Sequence, residues 1–227
     1  MNESVVYYPR EAVREAALQF ETPFFLYEEA RLRENCRNFR EAFGAHFKDF
    51  WPLYAVKANA NPRVMEIIVS EGFGLDCSSE SEAWLAKSLG AKGMYTANYT
   101  PARELAYAQE CEMVLNLDDV SMVGFLEELG RPEVLSFRIN PGVGAEGDGT
   151  LAMAGADAKY GVPFEKAAAA YAAAKEKGVK RFGIHMMTGS NVLDEGYFAV
   201  MVERLFEVMA DVKAQTGVEL EVMNIGG

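Results

Sequence analysis

The chain has 227 residues, half of them hydrophobic, and a formal net charge of −12. That is enough to bury the core of one large α/β domain, and the acidity argues against nucleic acid or an anionic membrane as a partner while leaving room for a local basic pocket. No apolar run reaches the length of a membrane span, the start Met1-Asn-Glu-Ser is not a signal peptide, and three widely spaced cysteines with two histidines suggest neither a disulfide framework nor a metal site, so a reduced cytoplasm is the default.

In chain order, the first predicted strand covers 22–27 and a helix follows over 28–43. From there strand-like and helical runs alternate. Strands rich in β-branched and aromatic residues are predicted at 51–56, 73–77, 93–97, 113–117, 134–139, 181–187 and 220–225, and helices at 62–71, 80–89, 101–110, 119–129, 163–177 and 193–215. Pro62, Pro101 and Pro163 stand near helix starts, and Gly72, Gly90, Gly130, Gly178 and Gly217 follow helix ends. Strands alternating with helices pair in parallel. About seven of them point to a (β/α)8 barrel, although periodicity alone leaves a doubly wound sheet open. A closed barrel needs an eighth strand, so a last strand running into Gly226-Gly227 reads as a barrel cut after strand seven, the sequence of a fragment. The stretch 141–161 is long, Gly-rich and patternless, as functional loops often are.

In a β/α barrel the chemistry gathers where strands end, at the C-terminal face. The strand ends here are polar: Lys57 and Asn59, Asp76 and Ser78, Asn98, Asn116 and Asp118, Arg138 and Asn140, His185 with Thr188, Gly189 and Ser190, and Asn224 with Gly226 and Gly227. Any one of these is more often a turn or cap residue than a site. Lys57 is the most telling, because it ends the apolar run Trp51-Pro-Leu-Tyr-Ala-Val, and lysine is seldom buried unless paired or used. A desolvated amine at that point is a candidate for Schiff-base chemistry. A lysine snorkelling out of a strand end is the plainer reading, and the local residues leave both open. Gly189-Ser190-Asn191 ahead of a long helix, and Gly226-Gly227 after the last strand, both suit an anion held by backbone N–H groups. An amine and a phosphate holder are the pair that pyridoxal phosphate requires.

These residues resemble the fold-type III pyridoxal-phosphate decarboxylases, the family that includes diaminopimelate, ornithine and arginine decarboxylases. Tyr54-Ala-Val-Lys-Ala-Asn59 is similar to the family's cofactor-lysine motif, and Gly74-Leu-Asp-Cys-Ser-Ser79, with Glu82 beyond, to its second-strand motif. Phe137-Arg-Ile-Asn-Pro-Gly142, Lys159-Tyr-Gly161, Gly183-Ile-His-Met-Met-Thr-Gly-Ser190 and Asn224-Ile-Gly-Gly227 follow in the expected order. Thr22-Pro-Phe-Phe-Leu-Tyr27 looks like the strand that the family contributes to a second, β-sandwich-like domain.

The resemblance implies a TIM-like (β/α)8 barrel of the alanine-racemase type over 31–227, incomplete, with 1–30 belonging to a second β domain mostly absent from the chain. It implies pyridoxal 5′-phosphate as cofactor, Lys57 as its internal-aldimine lysine, and Asp76 and Arg138 in the polar network under it. Ser190 and the backbone of Gly226 and Gly227 would bind the phosphate. The implied reaction is decarboxylation of a small amino acid, with meso-diaminopimelate to lysine in first place and ornithine, lysine, arginine or carboxynorspermidine as alternatives. The implied enzyme is cytoplasmic and, at full length, a homodimer; the competing class is a non-catalytic binding homologue.

One departure stands out. Where the family has a ring-stacking histidine two residues before Gly-Ser, this chain has Met187. His185 lies two residues earlier, hence on the same strand face, and becomes the histidine expected to bind the cofactor and act with Lys57. In the family the acidic partner of the pyridine nitrogen and several substrate-side groups lie beyond Gly227. The 227 residues alone are therefore expected to bind cofactor weakly and not to turn over.

Overall fold

The computed structural model describes residues 9–142, 159–187, 189 and 194–226. The chain divides into two compact units, Met1–Phe50 and Trp51–Gly227. The first holds α1, Arg10–Gln19, and α2, Glu29–Gly44. α2 buries Cys36, and Phe43 near its end stacks on Phe50 at 4.7 Å and meets Phe39 at 4.8 Å between ring centroids. The strand predicted over 22–27 does not form. A strand exists through its ladder, and among the described residues this segment has no strand partner.

The second unit repeats strand and helix. Its elements are β1 (Leu53–Ala55), α3 (Pro62–Ser70), β2 (Gly74–Cys77), α4 (Glu80–Ser88), β3 (Gly93–Tyr95), α5 (Ala102–Glu110), β4 (Val114–Leu117), α6 (Leu126–Leu129), β5 (Leu135–Asn140), β6 (Val162–Pro163), α7 (Phe164–Glu176), β7 (Phe182–His185), α8 (Glu195–Thr216) and β8 (Leu220–Asn224). The sheet runs β1-β2-β3-β4-β5-β7-β8, every pairing parallel, with β6 attached beside β5. This is the consecutive order of a β/α barrel wall, and it removes the doubly wound alternative, which reverses direction at a switch point. The seven predicted core strands are all present. β6 was not predicted, since two residues carry no periodicity. The helix predicted over 119–129 is instead a 3-10 turn, Val120–Phe125, followed by the single turn of α6. Gly124 inside that run weakens helix propensity.

Local chemistry sets the helix starts. Asn61 accepts from the Arg63 N–H at 2.9 Å ahead of Pro62, which occupies the first turn of α3. Ser79 accepts from the Glu82 N–H at 3.3 Å, and the Glu82 carboxylate reaches back to the Ser78 N–H at 2.6 Å. This is a capping box shifted by one residue.

Fully buried parallel strands usually read as unbroken apolar runs; these alternate. Leu75, Cys77, Tyr95, Leu115, Leu117, Leu135, Phe137, Phe182 and Ile184 share one face through the parallel register, and all are buried. That face packs under the helices, where Tyr171 of α7 meets Phe137 at 5.0 Å and Phe182 at 5.7 Å, edge to face. Burying each such large side chain contributes about 1.5–3 kcal/mol. The opposite face carries Asp76, Met94, Asn116, Ser136, Arg138, His185 and Asn224. It is strongly concave. Asn116 of β4 reaches His185 of β7 across β5, and the Asn224 amide of β8 lies 3.2 Å from the Met94 sulfur of β3. At β3, a Cβ on Gly93 would lie 1.9 Å from the Leu75 carbonyl oxygen, so glycine there lets β2 and β3 meet. No helix among the described residues is long and apolar enough to cross a membrane.

Candidate functional site

The polar groups gather on the concave face and at the C-terminal strand ends. β1 ends in a 3-10 turn, Val56–Ala58, in which Val56 takes the buried position. Lys57 is consequently exposed. The expectation of a desolvated amine is corrected here: the turn, rather than the strand, presents the lysine. Its charge still reaches the concave face, because it is among the influences on both Asp76 and His185.

Asp76, on β2, is half-buried and accepts a hydrogen bond from the Thr96 hydroxyl at 2.5 Å. Burial pushes its carboxyl up to about 6, against the lowering effects of Thr96 and of the Lys57 charge. Arg138, in the middle of β5, is buried. It donates to the Asn98 side-chain oxygen at 2.8 Å and to the Met187 carbonyl at 3.2 Å, and its guanidinium lies 5.1 Å from the centre of the Tyr160 ring. Burial draws Arg138 below its ordinary value, and the nearby Asp118 carboxylate opposes that. Asp118 in turn accepts the Tyr99 N–H at 3.1 Å on both oxygens. Tyr99 sits at φ 52°, a left-handed conformation that costs a bulky residue, and its hydroxyl donates to the Lys159 carbonyl at 2.7 Å.

His185 closes β7 and is buried. Its Nδ1 lies 3.4 Å from the Asn116 amide nitrogen. Burial first, then the positive charges of Arg138 and Lys57, push the imidazole down to about 3, so the ring is neutral at physiological pH. Asn116 Oδ1 and Ser136 Oγ, on register-paired residues of β4 and β5, are buried with no hydrogen-bond partner among the described residues.

After β8, the Gly226 N–H donates to Asn224 Oδ1 at 2.8 Å. Gly226 has φ 72°, and a Cβ there would lie 2.5 Å from the Met186 carbonyl oxygen. Glycine here allows the close backbone approach to Met186, and its own N–H is engaged by Asn224 rather than free for an anion. Ser190 and Gly227 lie outside the described residues, as do 143–158 of the long loop.

The structure thus brings Asp76, Arg138 and His185 onto one concave face under the field of Lys57, with Gly226 beside Met187 at its edge. Sequence reasoning missed Thr96, Tyr99 and any role for Tyr160. Thr96 was accessible to it, being a polar residue two positions after Met94 on an alternating strand. The left-handed Tyr99 had no signal, because tyrosine is not a residue expected at positive φ.

The chain is similar to known proteins over most of its length. Residues 29–227 match the family described as pyridoxal-dependent decarboxylase, pyridoxal binding domain. A diaminopimelate decarboxylase from Methanothermobacter thermautotrophicus is 36% identical over 218 residues, covering 94% of this chain and 51% of that protein. Protein TabA from Pseudomonas amygdali pv. tabaci is 35% identical over 213 residues, covering 92% and 49%. The crystal structure of diaminopimelate decarboxylase from Helicobacter pylori complexed with L-lysine superposes with a TM-score of 0.83 at 23% identity, over 95% of this chain and 57% of that one. The chain spans about half the length of the curated relatives it matches.

Proposed function

The chain belongs to the pyridoxal-dependent decarboxylases, through their pyridoxal-binding domain, and on that premise we propose that Lys57 is the amine that carries the cofactor in an amino-acid decarboxylase. The observation that carries this reading is convergence: a solvent-accessible amine whose field reaches Asp76 and His185 stands over a concave face lined by a buried guanidinium. The residues present fit pyridoxal phosphate. The amine is accessible, a positive group lies at the centre of the site, and Gly226 lets the backbone after β8 pack closely against Met186 and Met187 past the end of β7. Buried Asn116 and Ser136 also offer polar atoms without partners among the described residues.

Pyridoxal phosphate, when bound, supplies an electron sink for the electron pair left behind as a carboxylate departs as CO2. The protein's part is to place charge around that event. Lys57 anchors the cofactor. Asp76 sits beside it, close enough to half-protonation near pH 6 to hold or release a proton. Arg138, fixed by Asn98, Met187 and Tyr160, supplies a positive charge that does not titrate. His185 adds a polar group without adding a charge. Ser190, Gly226 and Gly227 are the proposed phosphate holders. The substrate is a small amino acid, with meso-diaminopimelate in first place because several relatives at about a third identity carry that activity in their names. TabA, at 35% identity, has a name that carries no substrate, and ornithine, lysine, arginine and carboxynorspermidine are the alternatives. Residues 1–30 belong in this reading to a second β domain, and the full-length enzyme is a cytoplasmic homodimer. Met187 in the place of a family histidine favours one other reading, a homologue that binds without catalysing.

The test is borohydride reduction of the full-length protein saturated with pyridoxal phosphate, followed by peptide mapping. A reduced pyridoxyl group on Lys57 is expected, and a saturated protein with no label on Lys57 would overturn the reading. CO2 release from a panel of diamino acids then identifies the substrate and separates enzyme from binding homologue.

A further inference from the structure

His185 is buried on the concave face, and among the described residues its recorded hydrogen-bond partner is the Asn116 side chain, whose Nδ2 lies 3.4 Å from Nδ1. In this amide orientation the nitrogen donates and Nδ1 accepts, and a neutral ring that accepts at Nδ1 carries its proton on Nε2. We propose that Asn116 is a positioning residue that fixes His185 as the neutral Nε2–H tautomer, so that the site presents a hydrogen-bond donor there rather than a third cation beside Lys57 and Arg138.

Three features argue for it. Asn116 and His185 come from strands two apart, and the residue of the intervening β5 in register with Asn116 is the small Ser136. The charged groups facing the ring are Arg138 from β5 and Lys57 from the turn after β1, both positive, and both disfavour imidazolium. The carboxylates of the neighbouring strands are engaged elsewhere, Asp76 by Thr96 and Asp118 by the Tyr99 N–H. An aspartate at 116 would place an acceptor against Nδ1, hold a proton there and stabilise the charged ring. Asparagine has the same shape without that effect. This orientation leaves Asn116 Oδ1 without a partner among the described residues, and the hydroxyl of its register neighbour Ser136 lacks one as well.

The inference deepens the proposed function, because its consequence for cofactor binding rests on that reading; its test does not. The full-length protein is labelled with 15N at histidine, and His185 is assigned by its loss in His185→Gln. The imidazole shifts are followed from about pH 5 to about pH 9, a range that spans the ordinary histidine titration. The expected spectrum shows His185 with Nδ1 unprotonated and Nε2 protonated throughout. Asn116→Leu is expected to give mixed tautomers, and Asn116→Asp a ring that titrates within the range. A wild-type ring protonated on Nδ1, or charged at neutral pH, overturns the proposal with no variant needed. An unchanged tautomer in Asn116→Leu overturns it as well. Absorbance titration with pyridoxal phosphate on the same samples is the separate check: failure of the wild-type protein to bind would sink the functional reading and leave the tautomer result standing.

Discussion

Two titrating groups on the concave face, the half-buried Asp76 and the buried His185, work against each other. In the folded chain Asp76 keeps its proton up to about pH 6, whereas the unfolded chain releases it near 3.8, so this group's contribution to stability is full at low pH and is lost as pH rises through that window. His185 behaves oppositely: the folded ring stays neutral down to about 3 while the unfolded ring protonates near 6.5, so its contribution is full above 6.5 and is lost as pH falls. Between about pH 4 and 6 each involves close to one proton, and the slopes oppose. We predict that His185→Gln makes stability fall with rising pH relative to wild type across this window, and that Asp76→Asn makes it rise, by up to about 1.4 kcal/mol per pH unit. Urea melts at stepped pH measure this directly, and two parallel curves would refute the assignment. Lys57→Ala gives a different signature. The side chain is exposed, so stability should change by no more than about 0.5 kcal/mol, while the covalent cofactor label disappears. That Lys57, Asp76, Arg138 and His185 lie on or at the ends of neighbouring strands was readable, because all four end or interrupt apolar runs. Solvent exposure was not readable: the turn that lifts Lys57 out of the strand is set by Val56 packing inward, and nothing local announces it.

At the scale of elements, periodicity and punctuation carried most of the fold. A proline at the start or a glycine after the end marked most of the helices in this unit, and apart from the helix predicted over 119–129 the structure moves their boundaries by one or two residues, as fraying helix ends do. Failures came where an element depends on something distant. The segment 22–27 needs a strand partner, and β6 exists only because two residues happen to reach β5. The caps are local and can be tested locally. Ser79→Ala removes the acceptor of the Glu82 N–H and should cost about 1 kcal/mol. It should also loosen the Glu82 contact to Ser78, which lies just past the end of β2 and two residues from Asp76. Gly226→Ala is a more demanding probe. The new Cβ meets the Met186 carbonyl oxygen at 2.5 Å from a left-handed backbone, so the loop after β8 must shift. If that loop helps to hold the phosphate, affinity for pyridoxal phosphate drops while affinity for pyridoxal, which lacks the phosphate, changes little. An equal loss for both would place the phosphate elsewhere.

At the scale of the whole molecule, the concave face presents Asp76, Arg138 and His185 near the proposed anchor Lys57 but no assigned group that would recognise the distal end of a substrate. Such recognition needs hydrogen-bonding groups matched to that end, because leaving a buried partner unpaired is what rejects the wrong analogue. Among the described residues, most polar side chains of this face already have partners: Asp76 has Thr96, Arg138 has Asn98, Asp118 has the Tyr99 N–H and Asn224 has the Gly226 N–H, while Asn116 Oδ1 and Ser136 Oγ are buried without one. The matched relatives are about twice as long, so in them roughly as much sequence again stands beside this domain. We therefore predict a separation of function. The 227-residue chain, given pyridoxal phosphate and borohydride, accepts label on Lys57, because the anchor and its surroundings are present. The same chain releases no CO2 from diaminopimelate, ornithine, lysine or arginine, because binding energy from the remote part of the substrate is what lowers the barrier at its reacting carbon. Turnover by the 227 residues matching that of the full-length protein would show that the recognition groups already lie on this face, and would direct the search to Tyr99 and Tyr160 at its mouth.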